Sequence, residues 1–253
     1  MPYKRGRPVI DFSLAFRLAS AITFNILLFP IAMFVNCIMH STRYKHRWRM
    51  YNVKKAITVS NHTTALDPVK IAGLVWPRGI FQTLLEATVE APFVGTITRL
   101  LGGVPVSKDL IGFKRILEIC KKKSFNYRRY LHFYPEGECF IYNQNIREFN
   151  TGAFLLAAEL DIPIIPLVTV FSDGILKPKS FLGRSLPVET LVVLEPVYPS
   201  HYIKRNSSGR ISVESVKQFT EAVRQKMQDE INKRNGSNAF YRGRMERIKG
   251  LND

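Results

Sequence analysis

Short apolar segments rich in β-branched residues recur along the chain and alternate with segments of helical periodicity. The strand-like segments are residues 56–60, 103–107, 130–134, 164–171 and 190–194. The helix-like segments are residues 68–75, 113–123 and 152–160. Such alternation predicts an α/β fold in which a largely parallel sheet is covered by helices. Active sites of such sheets lie beyond the carboxyl ends of the strands, so residues directly after the predicted strands are the first candidates for chemistry.

A long apolar run precedes the predicted sheet. Residues 18–39 contain no formally charged side chain, and this is about the length that crosses the hydrocarbon core of a bilayer. Pro30 lies near the middle of the run, where proline removes a helix hydrogen bond and promotes a kink. We therefore expect a bent, re-entrant pair of helices embedded in the cytoplasmic face of the cell membrane, with a single tilted span as the alternative. Basic residues flank both ends and favour neither orientation: Lys4, Arg5, Arg7, Arg43, Lys45, Arg47 and Arg49.

Two further patterns lie late in the chain. Apolar residues three or four positions apart predict an amphipathic helix that packs on the core: Val216, Phe219, Val223, Met227 and Ile231. Basic residues then predict a solvated tail, with contact to anionic lipid as the alternative: Arg242, Arg244, Arg247 and Lys249.

The charge of the chain favours a polyanionic partner. Its 253 residues carry a formal net charge of +17, and the sequence pI is about 10.0. Nucleic acid and the anionic face of a membrane would both attract such a chain. Because the apolar run favours a membrane and no nucleic-acid-binding motif is present, we expect an anionic membrane surface as a partner and no nucleic acid.

Cysteine and histidine usage argues against a disulfide framework and a metal site. Cys37, Cys120 and Cys139 are an odd number without paired spacing. The five histidines show no spacing typical of metal ligands. We therefore expect a reducing, cytosol-facing location and no bound metal.

His62 and Asp67 directly follow the predicted strand 56–60 and form the most informative pair in the sequence. An imidazole can take a proton from a hydroxyl near neutral pH, while a carboxylate on its other nitrogen fixes the tautomer and stabilises the imidazolium. Five positions on a continuous helix would separate the two side chains by about 140°, so we expect a turn between them. Pro68 predicts a helix that begins there. The alternative is that Asp67 only caps this helix and His62 is an ordinary loop histidine.

Later segments decide between these interpretations, because with the His62 and Asp67 pair they follow a family pattern. The segments are Gly102-Gly103-Val104-Pro105-Val106-Ser107-Lys108, Phe133-Tyr134-Pro135-Glu136-Gly137, Phe149-Asn150-Thr151-Gly152-Ala153 and Ile162-Pro163-Ile164-Ile165-Pro166. With this order and these gaps, residues 57–170 resemble the glycerolipid acyltransferase family, whose best-known members are the lysophosphatidate (1-acyl-glycerol-3-phosphate) acyltransferases.

The resemblance implies an enzyme that moves a fatty acyl group from a thioester to the free hydroxyl of a lysophospholipid. The implied acceptor is 1-acyl-glycerol-3-phosphate, which would give phosphatidate in phospholipid biosynthesis. His62 would be the general base and Asp67 its orienting carboxylate, while Lys108, Glu136 and Gly137 would lie at the acceptor site. No bound cofactor is expected, and the acyl donor would be acyl-CoA or acyl carrier protein.

The three acceptor-site positions have structural alternatives. Glu136 could cap a neighbouring backbone segment or pair with Lys108 instead of contacting the acceptor. Lys108 could be a solvated loop lysine. Gly137 fits a conformational role better than a chemical one.

The sequence departs from the family pattern at two places that bear on the acceptor. The second segment usually ends in arginine, whereas Lys108 acts as a point charge without the planar fork of a guanidinium. The third segment usually continues with threonine and arginine, where this chain has Glu138 and Cys139. Another lysophospholipid, glycerol 3-phosphate or an aminolipid therefore remains an alternative acceptor. The candidates for a replacement cation are Lys114, Arg115 and Arg147.

We expect three regions along the chain. Residues 1–50 would form the basic flank and membrane anchor, residues 51–235 the acyltransferase catalytic domain, and residues 236–253 a basic tail. A non-catalytic protein that binds lipid at a membrane surface could share the fold, the anchor and the charge. Such a protein would lose little binding if His62 were replaced by alanine, whereas an enzyme would lose nearly all turnover.

Overall fold

A seven-stranded sheet forms the centre of the fold. The structure is a computed structural model, and it describes residues 10–34, 42–90, 94–106, 110–122, 128–172 and 187–246. The strands lie in the order β1-β7-β6-β2-β5-β3-β4. They are Arg43–Lys45 (β1), Ala56–Ser60 (β2), Phe81–Leu85 (β3), Gly103–Val106 (β4), Tyr130–Phe133 (β5), Ile164–Ser172 (β6) and Val188–Val193 (β7). Neighbouring strands run parallel except β6 and β7, which are antiparallel. The predicted α/β fold with a largely parallel sheet is confirmed.

Helices cover both faces of this sheet. They are Leu14–Thr23 (α1), Phe29–Phe34 (α2), Trp48–Tyr51 (α3), Asp67–Val75 (α4), Glu86–Glu90 (α5), Val94–Leu100 (α6), Leu110–Lys121 (α7), Gly152–Leu160 (α8) and Val213–Lys233 (α9). Side chains along β2 alternate between the two layers. Ile57 lies in one buried cluster with Phe154 of α8 and Phe219 of α9, whereas Ala56 lies in another with Ile71 of α4.

Most predicted elements are present, with bounds that shift by a few residues. The β2 and α8 segments have the predicted bounds, and the predicted amphipathic helix is confirmed as α9. The hydrophobic pattern missed β3, because Gln82 and Thr83 interrupt its apolar run. It also missed β1, which has three residues and is too short to show a period.

The N-terminal apolar run is one continuous helix in the described residues, and the predicted pair of helices was wrong there. A π-helical turn, Phe24–Leu28, joins α1 to α2, so residues 14–34 are helical throughout. The Phe29 N–H bonds to the Phe24 carbonyl, five residues back. This wider turn directly precedes Pro30 and lets the chain pass the proline without breaking the helix. Within the described part of the chain, it is the one helix long and apolar enough to cross a membrane.

This helix packs on α4 along one side and exposes apolar side chains elsewhere. Phe24 and Leu28 are buried in a cluster with Ala72 of α4. The Trp76 Nε1–H donates to Asn25 Oδ1 at 3.0 Å. An exposed apolar surface of this kind is typical of an interface with lipid or protein. Its large exposed side chains are Leu14, Leu18, Ile22, Ile26, Leu27, Ile31, Met33 and Phe34.

Residues 241–246, which belong to the predicted tail 236–253, lie against the domain. Three backbone hydrogen bonds of 2.9 to 3.1 Å pair it with the loop after β5. Phe140 and Arg244 form an antiparallel bridge within this pairing. These residues therefore form an added strand-like segment whose backbone is bonded to the domain, while the side chains of Tyr241, Arg242, Arg244 and Glu246 stay exposed.

Candidate active site

A tight turn, residues 61–66, joins β2 to α4 and positions the predicted pair. Asn61 anchors the start of this turn to β6, because its Nδ2 donates to the Thr169 carbonyl at 3.0 Å and its Oδ1 accepts the Thr169 N–H at 2.9 Å. The helix begins at Asp67, one residue before the predicted start, with Pro68 in its first turn. The expected turn between the imidazole and the carboxylate is therefore present.

His62 and Asp67 contact each other across this turn. The Nδ1 of His62 lies 3.0 Å from Asp67 Oδ2, and the Asp67 side chain is 3% exposed. The same Oδ2 accepts the backbone N–H groups of Thr63 at 2.6 Å and Thr64 at 2.9 Å, while Oδ1 accepts from Thr64 Oγ1 at 2.6 Å. Asp67 thus organises the whole turn in addition to contacting the imidazole, and Leu66, not Asp67, is the N-cap of α4.

Asp67 is ionised in this setting. Burial alone would raise its pKa, but the hydrogen bond and charge of His62, the charge of Lys70 and the hydrogen bond of Thr64 outweigh burial and hold the pKa well below its usual range. An ionised carboxylate accepts the Nδ1–H of His62 and leaves Nε2 as the basic nitrogen.

Lys70 and Glu189 form a buried ion pair beside Asp67 that the sequence analysis missed. The Nζ of Lys70 lies 2.6 Å from Glu189 Oε2, 3.0 Å from Thr64 Oγ1 and 3.7 Å from Asp67 Oδ1. Burial raises the pKa of Glu189, and the Lys70 ammonium opposes that rise. The three-residue spacing of Asp67 and Lys70 on a helix was a usable signal. Glu189 gave no local signal, because it reaches the site from β7.

The Glu136 carboxylate joins the 61–66 turn to a neighbouring loop. Its Oε1 accepts the His62 N–H at 3.1 Å, and its Oε2 accepts the Arg147 N–H at 3.2 Å. Burial raises the pKa of Glu136 to about 7, although these two N–H groups favour the ionised form. The capping alternative from the sequence is therefore observed, and a contact with the acceptor stays a prediction.

Gly137 has a conformational role in the turn after β5. Its φ is +74°, and an added Cβ would lie 3.0 Å from Asn150 Nδ2. Its N–H donates to the Tyr134 carbonyl at 3.0 Å. Gly137 also lines the cavity described below, so its predicted contact with the acceptor stays open to test. Lys108 lies outside the described residues.

A cavity of about 280 Å³ opens beside His62. Leu85, Val106 and Phe133 line it and are the last residues of β3, β4 and β5. The cavity therefore lies beyond the carboxyl ends of parallel strands, as the fold predicts. Its wall is mainly apolar, with Leu84 and Met245 adding to the side chains at the strand ends.

Among the arginines and lysines of the described residues, Arg244 alone lines this cavity. Its Nη1 lies 3.1 Å from Glu138 Oε2. The three proposed replacement cations do not line it; Arg147, for example, lies over the Phe140 ring at 4.3 Å. The sequence marked Arg244 only as part of the basic tail and not as a cavity residue, because Arg244 reaches Glu138 across 106 residues.

A second imidazole, that of His132, lies close to His62 in a different environment. Both rings contact Tyr134, with centroid distances of 4.1 Å for His62 and 4.6 Å for His132. His132 is fully buried and bonds to Thr58 Oγ1 at 2.9 Å and Ser60 Oγ at 3.2 Å. Burial lowers the pKa of His132 to about 3, so this ring is neutral. Within the described residues neither imidazole belongs to a group of three His, Cys, Asp or Glu side chains that could hold a metal ion.

The curated relatives with similar sequences are glycerolipid acyltransferases. The chain is 25% identical to the 1-acyl-sn-glycerol-3-phosphate acyltransferase of Saccharomyces cerevisiae over 185 residues, which cover 70% of this chain and 56% of that protein. It is 26% identical over 156 residues to the chloroplastic 1-acyl-sn-glycerol-3-phosphate acyltransferase BAT2 of Brassica napus, which covers 57% of this chain and 41% of that protein. The chain thus spans about half the length of these relatives.

A structural comparison and a family model extend these likenesses. The crystal structure of PlsC, the 1-acyl-sn-glycerophosphate acyltransferase of Thermotoga maritima, superposes with a TM-score of 0.54 at 17% identity, covering 87% of this chain and 95% of that chain. This likeness concerns the fold. The family model described as Acyltransferase matches residues 41–170, which are 130 of the 253 residues and contain His62 and Asp67. The chain therefore belongs to the acyltransferase family.

Proposed function

We propose that this protein is a membrane-associated O-acyltransferase that moves a fatty acyl group from an acyl thioester to the free hydroxyl of a lysophospholipid. The proposed acceptor is 1-acyl-glycerol-3-phosphate, and the product is phosphatidate. The observation that carries the proposal is the 3.0 Å contact of His62 Nδ1 with Asp67 Oδ2 at a mainly apolar cavity. Membership of the acyltransferase family and the names of the two sequence relatives support this reaction.

His62 acts as the general base. Its Nε2 takes the proton from the acceptor hydroxyl while that oxygen attacks the thioester carbonyl carbon. Asp67 stabilises the imidazolium that forms, because its ionised carboxylate bonds to Nδ1–H. Collapse of the tetrahedral intermediate breaks the carbon–sulfur bond, and the imidazolium returns its proton to the departing thiolate. The products are the ester and the free thiol, and His62 is again neutral.

The transfer is direct and forms no acyl-enzyme on the nearby thiol. Cys139 lines the cavity, so it is the side chain to consider as a nucleophile. Burial, together with the nearby Asp67 and Glu136 carboxylates, raises its pKa to about 12. A thiol with this pKa stays protonated near neutral pH and is a poor nucleophile.

The contacts of Asp67 restrict where the oxyanion of the intermediate is stabilised. The backbone N–H groups of Thr63 and Thr64 already bond to its carboxylate. The remaining candidates in the 61–66 turn are the N–H groups of Ala65 and Leu66.

The N-terminal helix supplies the membrane association in this proposal. Its exposed apolar side chains would lie in the cytoplasmic face of the cell membrane, and its packing on α4 would hold the cavity near lipid. A single span and a helix that lies in the membrane interface predict different positions for its two flanks. Labelling of cysteines introduced next to Lys4 and Lys45 tests this, because reactivity from opposite sides of the membrane would exclude an interfacial helix.

The proposal is tested with the purified full-length chain in lipid vesicles. Long-chain acyl-CoA, or acyl carrier protein charged with the same acyl group, is supplied with 1-acyl-glycerol-3-phosphate, and both thiol release and phosphatidate are followed. The proposal expects equal amounts of the two products. Thiol release without a lipid product would contradict it. A folded protein that binds vesicles and acylates none of a panel of lysophospholipids, glycerol 3-phosphate and aminolipids would instead be a lipid-binding protein.

A further inference from the structure

The C-terminal segment, residues 241–246, completes one wall of the cavity. Three backbone hydrogen bonds hold it to the loop after β5, and Arg244 forms an antiparallel bridge with Phe140. The side chains of Arg244 and Met245 then line the cavity. This segment lies outside residues 41–170, so the family match assigns it no role.

The same loop is also bonded to the turn that carries the base. The Phe140 N–H donates to the His62 carbonyl at 2.9 Å, and the Tyr142 N–H donates to the Thr63 carbonyl at 3.0 Å. The backbones of Arg244 and His62 are therefore two strand-like spacings apart, roughly 10 Å, with Phe140 between them. Backbone hydrogen bonds join the C-terminal segment to the loop after β5 and join that loop to the 61–66 turn. They therefore fix the position of the Arg244 backbone relative to that of His62.

Only one nitrogen of the Arg244 guanidinium is hydrogen-bonded within the described residues. Its Nη1 lies 3.1 and 3.4 Å from the two carboxylate oxygens of Glu138. Within the part of the chain that the structure describes, its Nε and Nη2 contact no hydrogen-bond acceptor, and the side chain is 60% exposed. An arginine that lines a cavity, with Nη1 held by a carboxylate and the other guanidinium nitrogens available, is suited to bind a planar or tetrahedral oxyanion.

We propose that Arg244 binds the phosphate of the acceptor headgroup and that Glu138 orients its guanidinium for this contact. The inference rests on the proposed function, because it names a recognition residue for that same site. It also accounts for the departure of the sequence at Glu138 and Cys139, where the family usually has threonine and arginine. Arg244, from the C-terminal segment that pairs with this loop, would take the place of the arginine that the family usually has at the position of Cys139.

Glu138 determines which phosphate is favoured. A phosphomonoester carries about −1.5 to −2 charges near neutral pH, whereas a phosphodiester carries one negative charge. The Glu138 carboxylate repels the additional charge of a monoester and can pair with the ammonium of an ethanolamine headgroup. Glutamine keeps a side-chain oxygen that can hold the Arg244 guanidinium but lacks the negative charge. Glu138→Gln therefore lowers the KM for 1-acyl-glycerol-3-phosphate relative to the KM for 1-acyl-glycerophosphoethanolamine, and an unchanged ratio would show that Glu138 does not discriminate between the two headgroups.

The test compares full-length Arg244→Gln with the native chain and with Arg242→Gln. Both variants lose one guanidinium from the same segment, but Arg242 lies over the Tyr142 ring at 5.6 Å and does not line the cavity. Acyl transfer is measured in phosphatidylcholine vesicles at saturating acyl-CoA. The acceptors are 1-acyl-glycerol-3-phosphate, 1-acyl-glycerophosphoethanolamine and 1-acylglycerol, which has no phosphate.

Arg244→Gln raises the KM for phosphate-bearing acceptors by about 10- to 100-fold, the range expected for a lost charge-assisted hydrogen bond. The KM for acyl-CoA and the rate with 1-acylglycerol stay near the native values. Arg242→Gln behaves like the native chain with all acceptors. Arg244→Lys, which keeps the charge and the segment but lacks the fork, gives an intermediate KM. Equal KM values for Arg244→Gln and Arg242→Gln, or equal losses with and without the phosphate, would overturn the inference.

A binding measurement separates failure of this inference from failure of the proposed function. Phosphorus NMR titration with glycerol 3-phosphate reports binding to the native chain and to Arg244→Gln without any turnover. Binding that depends on Arg244 in a chain that makes no product supports this inference and overturns the proposed reaction. An active chain whose phosphate binding does not depend on Arg244 keeps the reaction and overturns this inference. A native chain that neither binds nor acylates overturns both.

Discussion

His62 and His132 contact the same tyrosine ring, yet the chain gives the two imidazoles different partners. His62 lies in the turn after β2, its side chain is 19% exposed, and it bonds to the Asp67 carboxylate. His132 lies within β5, is fully buried and bonds to two hydroxyl groups. A proton gained by His62 is stabilised by a negative charge, whereas a proton gained by His132 would be a buried charge without a carboxylate partner.

The difference shows that the location of an imidazole in the fold decides its chemistry. A turn beyond a strand end gives His62 access to a cavity, and the backbone of the same turn holds the carboxylate that it needs. The interior of a strand gives His132 fixed hydrogen bonds and no access. His62 is therefore suited to transfer protons, and His132 is suited to hold β5 against β2.

Among substitutions of the residues that contact these two rings, replacing Asp67, the partner of His62, has the largest expected effect on activity. Asp67→Asn keeps the shape of the side chain but removes the charge that stabilises the imidazolium, so we expect kcat to fall about 100-fold or more. The variant also places an amide where two backbone N–H groups need an acceptor, so its melting temperature is measured in parallel. A folded Asp67→Asn protein with native kcat would show that His62 does not act as a base supported by Asp67.

Lys70→Met tests the buried ion pair of Lys70 and Glu189, which lies beside Asp67. Removing one partner of a buried ion pair lowers the free energy of unfolding by about 3 kcal/mol or more, because the Glu189 carboxylate is left buried beside Asp67. The measurement is urea unfolding in a mild detergent. The double variant Lys70→Met/Glu189→Gln is the matched control and recovers most of the loss, since no unpaired charge remains.

The loss in Lys70→Met grows as the pH rises. Burial raises the pKa of Glu189 in the folded protein above its value in the unfolded chain, so the folded state holds the proton more tightly. The stability from this proton is therefore present below pH 4.5 and is lost as the pH rises from there towards about 7, and removal of Lys70 enlarges this effect. A pH-independent loss would mean that the ion pair is not what stabilises this part of the fold.

His132→Asn tests the other side of the comparison and has a smaller effect. Thr58 and Ser60 are buried and would lose well-placed partners, so we expect the free energy of unfolding to fall by about 2 kcal/mol. The kcat should stay within about threefold of the native value, since this ring does not line the cavity and is neutral. A large loss of kcat in a folded variant would assign His132 a part in the reaction.

The pH dependence of stability separates His132 from the other titrating groups. Its folded pKa of about 3 lies below the ordinary histidine value, so the unfolded chain binds the proton more tightly. The native protein therefore loses stability as the pH falls from about 6.5 towards about 3. In His132→Asn this contribution is absent, and the acid loss of stability is smaller.

Features that depend on neighbouring residues could be predicted from the sequence, and those that depend on distant ones could not. The β2 strand, the turn and the proximity of His62 to Asp67 depend on a short stretch and followed from hydrophobic pattern and side-chain chemistry, whereas a catalytic role for the pair was favoured over a capping role only by the family resemblance of later segments. Glu189 and Arg244 reach the site from distant segments, and no local pattern marks such contacts. Pro30 gave a misleading local signal, because a π-helical turn accommodates it.

The central claim is that His62, and not the neighbouring imidazole, is the base of an acyl transfer. The most direct measurement is phosphatidate formation from acyl-CoA and 1-acyl-glycerol-3-phosphate by the native chain, His62→Ala and His132→Asn, each confirmed to be folded. We predict that His62→Ala loses about 1000-fold or more in kcat, while His132→Asn stays near the native rate. Equal turnover by native protein and folded His62→Ala would contradict the account.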